Sequence, residues 1–421
     1  MTMVPERVVV AGAGAAGFFA AIAACGHHPG AEVLLLEKSS KVLAKVRISG
    51  GGRCNVTHDA PTVGRLVKGY PRGEKFLRKA FGLFGQPDTV AWFKAHGVEL
   101  RTEADGRMFP VTNDSATIAE CLLRAAREAG VELRTGVGVK ACRVRPGGGL
   151  VLGTDQGEVH ADRLIVATGG HPKAEAYHWL RTLGHTIVPP VPSLFTFNLP
   201  DDPVRALMGV TADPVRVRIT GTDLESTGPL LVTHWGMSGP AVLRLSAWGA
   251  RTLHAMGHRC TIAVDWTGGQ GEEAVRARLF AADPATRRKQ AANANPMGLP
   301  ARLWGHLLEQ AGVPGEKTWD SLGRHARNRL VALLTNDRHE MNGRTTFKEE
   351  FVTAGGVDLA EVDPRTMQSR IVPGLYFAGE VLDIDGITGG FNFQAAWTTG
   401  RLAGMAAAGP TAPHPHRAHG G

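Results

Sequence analysis

Six residues near the start of the chain have the spacing of a turn that cradles phosphate. Gly12-Ala13-Gly14-Ala15-Ala16-Gly17 follows the apolar run Arg7–Ala11 and opens an alanine-rich stretch. In such a turn the first glycine permits a tight bend. The second lets the backbone approach a pyrophosphate, and the third lets the helix pack on its strand. The helix would then present unpaired N–H groups and the positive end of its dipole to the phosphates. Glu37 ends the second apolar run, 20 residues after Gly17, where a carboxylate can bind a ribose hydroxyl. The glycines alone are unspecific. Strand, helix and acid in this order point to dinucleotide binding.

Two further segments carry related chemistry. "LIVATGG" reads as a buried strand ending in the small turn Thr168-Gly169-Gly170. "GLYFAGEVLDIDGITGGFNFQAAWTTGRLAG" reads as a strand, then Gly379-Glu380, then a glycine-rich turn through Gly389, Gly390, Phe391 and Asn392, then a helix. Three such elements in this order favour FAD over NAD as the resident nucleotide. No second Gly-x-Gly-x-x-Gly follows a strand, so a reduced nicotinamide is expected to visit transiently.

Those residues need a scaffold. "RVVVAGAG", "AAGFFAAIAAC" and "AEVLLLEK" read as strand, helix and strand. Helices are expected at 87–96 and at 116–129, the latter stopped by Gly130. The proline cluster "VPPVPS" reads as a domain boundary. Short strands dominate 195–266, and helix formers dominate 272–338. The tail 411–421 is low in complexity and is expected to be disordered.

Composition narrows the class. The chain has 421 residues, 43% hydrophobic and 20% charged, which is ordinary for a globular protein of two or three domains. Its apolar runs are too short to span a bilayer, and no leader pattern is visible at the start. Five cysteines without a C-x-x-C argue against both a disulfide framework and a metal site. A cytoplasmic location without membrane attachment is the expectation. The net charge of +8 is concentrated: residues 41–80 hold ten Lys and Arg against Asp59 and Glu74, a difference of +8. That window can face phosphates or RNA, with Tyr70 as a stacking residue, or be a solvated surface.

"KVLAKVRISGGGRCNVTH" goes beyond a generic nucleotide fold. With "PSLFTF", "LVTHWGMSGPAVLRLSAWGAR", "FKEEFVTAGGV" and the C-terminal segment above, it closely resembles the BaiN/RdsA-type, or YhiN-like, NAD(P)/FAD-dependent oxidoreductases. The resemblance runs from about residue 7 to 404. It implies an α/β fold: a two-part Rossmann-like FAD domain over 1–192 and 351–410. Between the parts sits an insert over 193–350, β-barrel-like to about 270 and helical over about 271–338.

The implied cofactors are bound FAD and transient NAD(P)H. The glycine loop and Glu37 carry over, as do Ser49, Gly50, Gly51, Arg53, Cys54 and Asn55 beside the pyrophosphate and flavin ring. Thr168, Gly169, Gly379, Glu380 and Gly389–Asn392 complete the site, with Lys38, Lys45 and Val139 as further candidate contacts. Lys45, Arg47 and Arg53 are candidates to neutralise phosphate or reduced flavin, with surface charge as the competing reading.

The implied activity is reduction of an activated C=C bond. One branch of the family makes dihydrouridine in large-subunit ribosomal RNA, and another resembles enzymes of bile-acid dehydroxylation. The RNA reaction adds hydride at C6 of uracil and a proton at C5. Cys54 is a candidate proton donor, with an inert buried thiol as the competing reading. His234 is a candidate general acid, with a structural histidine as the competing reading. Trp235 beside it reads better as a core tryptophan than as a stacking platform. Asp383 and Asp385 are left without a catalytic role. A flavin-stabilised binding protein without activity stays as a third reading.

Overall fold

The computed structural model of the protein describes residues 7–280, 288–345 and 352–409. The candidate tail 411–421 lies outside the described residues. The described chain divides into two compact units, with breaks after Val191 and before Lys348.

The first unit is built on five parallel strands: β1 (Arg7–Ala11), β2 (Glu32–Glu37), β3 (Glu132–Thr135), β4 (Arg163–Val166) and β5 (Leu375–Phe377). Their order across the sheet is β5-β4-β1-β2-β3. Val10 faces Leu35 on one side and Ile165 on the other, in parallel register. Val8–Val10, Leu34–Leu36 and Leu164–Val166 are buried without alternation. Continuous apolar runs of that kind belong to a parallel sheet covered on both faces.

From β1 the chain crosses through α1 (Ala15–His27) to β2 on one side, while β4 lies on the other. That reversal leaves a crevice at the carboxyl end of β1, where open α/β sheets bind ligands. The long helix α2 (Phe391–Ala408) packs on α1 through a seam of small residues. A Cβ on Gly400 would stand 2.3 Å from the Ala16 carbonyl, and one on Gly404 2.1 Å from that of Ala20. The two backbones therefore touch. A three-stranded antiparallel sheet, Val139–Val144, Leu150–Thr154 and Gly157–Ala161, shares the same core.

The second unit is a seven-stranded sheet with its own core. Its edge strands, Asp337–Asn342 and Arg344–Thr345, are separated in sequence by one residue. Gly343 donates to the His258 carbonyl and accepts from the Asn198 amide, so it links the two edges. The sheet curls toward a barrel in consequence. The strand-rich stretch also holds two helices, Pro240–Trp248 and Ala250–Ala255. Proline at the first helical position after Gly239 starts the first, and Leu, Ala and Arg sustain it. The helical stretch supplies Glu272–Phe280, Ala301–Gln310 and Arg324–Asn336.

Candidate cofactor site

The site grows from the carboxyl end of β1. Gly12 turns at φ +108°, and its N–H donates to the Leu36 carbonyl at 2.7 Å. A Cβ there would lie 2.4 Å from the Ala167 carbonyl, and one on Gly17 only 1.8 Å from the Gly12 carbonyl. Both glycines are required by packing. Gly14 differs, because a Cβ there would have nothing within 4 Å. It caps α1 without a side-chain hydrogen bond, and the first turn holds no acid. The open side of the loop thus presents a helix N-terminus. Ala15 is half-buried and Ala16 buried behind it.

Glu37 is fixed by its neighbours. One carboxylate oxygen accepts from the Ala13 amide at 3.0 Å; the other accepts from the Ser39 amide and hydroxyl at 3.0 Å. Val137 donates to the Glu37 carbonyl, and a Cβ on Gly138 would lie 3.2 Å from that of Lys38. Lys38 and Val139 therefore border the end of β2.

The turn after β4 brings the distant segments together. Gly169 has φ +75° and open space where a Cβ would be. Glu380 accepts from the Lys45 ammonium at 2.7 Å and from the Thr353 amide at 2.8 Å. A Cβ on Gly170 would lie 2.7 Å from that carboxylate and 2.8 Å from the Thr353 hydroxyl. His171 donates its amide to the Tyr177 hydroxyl at 3.0 Å. Burial lowers the His171 imidazole, nearby Lys38 and Lys45 add to this, and Glu380 opposes it. Burial pushes the Tyr177 phenol up to about 12. Sequence reasoning missed His171 and Tyr177, although His171 directly follows the Thr168–Gly170 turn.

The loop after Ser49 is wound by three successive left-handed glycines, Gly50, Gly51 and Gly52, and is closed by the Cys54 amide on the Ser49 carbonyl at 2.9 Å. Cβ atoms on Gly51 and Gly52 would meet nothing within 4 Å. Asn55 ties this loop to the C-terminal segment. Its side-chain amide, turned to satisfy both of its groups, donates to the Thr57 carbonyl and accepts from the Gly390 amide. Gly390 needs its small size, since a Cβ would lie 2.5 Å from Thr57. It caps α2 with no side-chain bond and no acid in the first turn. Asn392 holds the approach by accepting from the Gly386 amide and donating to its carbonyl. The Gly389 carbonyl meets His58 Nδ1 at 3.1 Å.

Burial and pairing bear on several expectations. Cys54 is fully buried at φ +58°, with its thiol pushed up to about 12 by that burial. It packs among the apolar side chains of the first unit's core. Arg53 pairs with Glu103 at 2.7 Å and lies 4.0 Å over the Phe109 ring. Its Nε also donates to the Gly50 carbonyl at 3.3 Å, which braces the loop. The Phe391 ring is buried, stacked on His58 at 4.6 Å. Tyr70 is buried with its hydroxyl on the Phe391 carbonyl at 2.6 Å, so it cannot stack on a base. Trp235, read as a core residue, is 44% exposed. It stands beside exposed His234 at the tip of the Thr233–Gly236 turn, in the second unit. Asp385, left without a catalytic role, is fully buried and pairs with Arg72.

These residues suit a dinucleotide with an extended pyrophosphate. The glycine backbone is open at Gly14, Gly51, Gly52 and Gly169, and two helix N-termini lack side-chain caps. The buried Thr353 hydroxyl, beside Glu380, has no hydrogen-bond partner among the described residues. An orphaned polar atom in a cradle implies a ligand or water to satisfy it.

Fold and site define an oxidoreductase of the FAD-binding Rossmann class. The chain belongs to the family described as "HI0933-like protein Rossmann domain", whose model matches residues 6–406. It is 31% identical to the 3-dehydro-bile acid delta(4,6)-reductase of Clostridium scindens, over 96% of this chain and 99% of that one. It is also 31% identical to the ribosomal RNA dihydrouridine synthase of Escherichia coli, over 93% and 95% of the two chains. Among solved structures, the 3-ketosteroid delta1-dehydrogenase of Sterolibacterium denitrificans shares the fold at TM-score 0.52 and 13% identity, covering 96% of this chain and 99% of that one. Among the described residues no helix is long and apolar enough to cross a membrane, and no cluster fits a metal ion.

Proposed function

We propose that the protein reduces uridine to 5,6-dihydrouridine in large-subunit ribosomal RNA, with FAD in the cradle and NAD(P)H as a transient reductant. FAD bound there supplies the hydride chemistry for an activated C=C bond. The Gly12–Gly17 backbone and the α1 N-terminus hold its pyrophosphate, and Glu37 its ribose. Lys45 and Glu380 pair across the mouth of the β4 turn, and Thr353 offers its hydroxyl. His234, exposed on the second unit, stays the candidate general acid for the proton at C5.

One observation carries the RNA reading. Of the ten basic residues in 41–80, five are tied to acids: Lys45, Arg53, Lys68, Arg72 and Arg78. The other five, Lys41, Arg47, Arg65, Lys75 and Lys79, are exposed and form no ion pair among the described residues. Lys75 and Lys79 stand one turn apart on the helix Glu74–Phe81. Unpaired surface cations are what a phosphate backbone requires.

A second reading is reduction of an unsaturated ring ketone in a small molecule. The equal identity to the bile-acid reductase and the burial of Tyr70 favour it. Reduced protein mixed anaerobically with ribosomal RNA or with an unsaturated steroid ketone separates the two. Rapid flavin reoxidation by RNA and slow reoxidation by the ketone is expected. The reverse order establishes the small-molecule reading.

A further inference from the structure

The first unit contains a cleft that the cofactor cradle does not use. It has a volume of about 1090 Å³. It lies where β4 and β5 begin, since Arg163 opens β4 and Gly374 precedes β5, and both line it. The glycine loop follows the carboxyl end of β1, and the three strands run parallel. Cleft and cradle are therefore at opposite ends of the strands, roughly 15 Å apart at about 3.3 Å per residue.

Its walls combine rings and cations. Phe84, Trp92 and Tyr376 supply aromatic surface, and the Arg163, Arg365 and Arg401 side chains line the same space. None of the three arginines forms an ion pair with an acid among the described residues. Arg401 lies 5.1 Å over the Phe84 ring, and Arg163 donates to the Asp162 carbonyl at 2.9 Å. Asp88 is the acid among the lining residues, and its carboxylate accepts from the Gly85 amide at 2.7 Å. Three positive charges thus face one negative charge beside an apolar floor. Arginine in such a setting recognises a carboxylate or sulfonate by paired N–H donors. A largely apolar cleft with a few convergent polar groups is the usual form of a small-molecule site.

We infer that this cleft is a second ligand site, which takes a ring-bearing organic acid: rings against Trp92 and the exposed Leu83, acid group on Arg163 and Arg401. Nothing in the cofactor chemistry requires it, and it stands whether the substrate is RNA or a small molecule.

The test uses FAD-loaded protein and two probes, 2-naphthoate and neutral 2-naphthamide, each titrated by calorimetry. Saturable binding of naphthoate is expected, at least tenfold tighter than naphthamide. Arg163→Gln with Arg401→Gln is expected to bring naphthoate down to the level of naphthamide, with FAD content unchanged. Ala91→Trp, on an exposed helix position lining the cleft, is expected to weaken both probes by steric filling. Equal affinity for the two probes overturns the proposal, as does naphthoate binding unaltered in the double arginine variant or in Ala91→Trp.

Discussion

Gly14 and Gly17 sit three residues apart and are required for opposite reasons. The space around a Gly14 Cβ is empty, so Gly14→Val leaves the fold intact and fills the place where pyrophosphate approaches. Purified Gly14→Val is expected to be folded and colourless, by circular dichroism and flavin absorbance. A Cβ on Gly17 collides with the Gly12 carbonyl, so Gly17→Ala is expected to lose stability by about 1–3 kcal/mol or more, whatever its FAD content.

Cys54 gives a third expectation at this scale. Its thiol is buried and held protonated with a pKa of about 12, so Cys54→Ser is expected to keep its FAD and to turn over within a few-fold of the parent. The cost is stability, about 1–3 kcal/mol for a more polar group in the core. A hundredfold loss of substrate-dependent flavin reoxidation in folded Cys54→Ser would return the thiol to the reaction. The glycine turn, Glu37 and the Thr168–Gly170 turn were legible because each is a local pattern of backbone need. The environments of Cys54, Arg53 and Tyr70 were not. Their partners Glu103, Phe109 and Phe391 lie far along the chain, and a loop has no periodicity to reveal its buried side.

Among elements, the α1–α2 seam depends on having no side chains. Gly400 and Gly404 face the Ala16 and Ala20 carbonyls, so Gly404→Leu must push the helices apart and disturb the glycine loop that α1 carries. Loss of the folded first unit, or of FAD with it, is expected by thermal melting.

In the second unit, His339 lies between two carboxylates, with Nδ1 2.7 Å from Asp202 and Nε2 3.1 Å from Asp337. Trp266 donates its indole N–H to the same Asp337 at 3.0 Å. Burial opposes the charge, but the two acids outweigh it and raise the imidazole to about 9, from 6.5. The folded pKa is the higher one, so this stabilisation is complete below about 6.5 and is lost as pH rises through 9. The melting temperature of the second unit is expected to fall over that window. His339→Leu is expected to flatten that dependence and to cost about 3–5 kcal/mol, since it leaves buried Asp337 and half-buried Asp202 without their cation. The strands and helices of this unit were legible from alternation and helix formers. The closure through Gly343 was not, because edge-to-edge register depends on contacts between residues distant in sequence.

Across the whole molecule, the basic window divides into charges that lock distant segments and charges left for solvent. Arg72 and Asp385 are 313 residues apart, and Lys45 and Glu380 are 335 apart. The composition count alone could not separate these from Lys75 and Lys79. If the exposed five contact RNA, Lys75→Glu with Lys79→Glu is expected to weaken ribosomal RNA binding and to reduce its salt dependence by about two ion equivalents. Melting temperature and FAD content are expected to stay unchanged, and a parent-like salt slope would remove these residues from the interface. Whether FAD held on the Gly12–Gly17 loop reduces uridine in ribosomal RNA is decided by mass spectrometry of large-subunit ribosomal RNA from cells lacking this gene. Dihydrouridine is expected to disappear, to return with the parent gene, and to stay absent with Gly14→Val. Unchanged dihydrouridine in the deletion strain, or its restoration by Gly14→Val, contradicts that function.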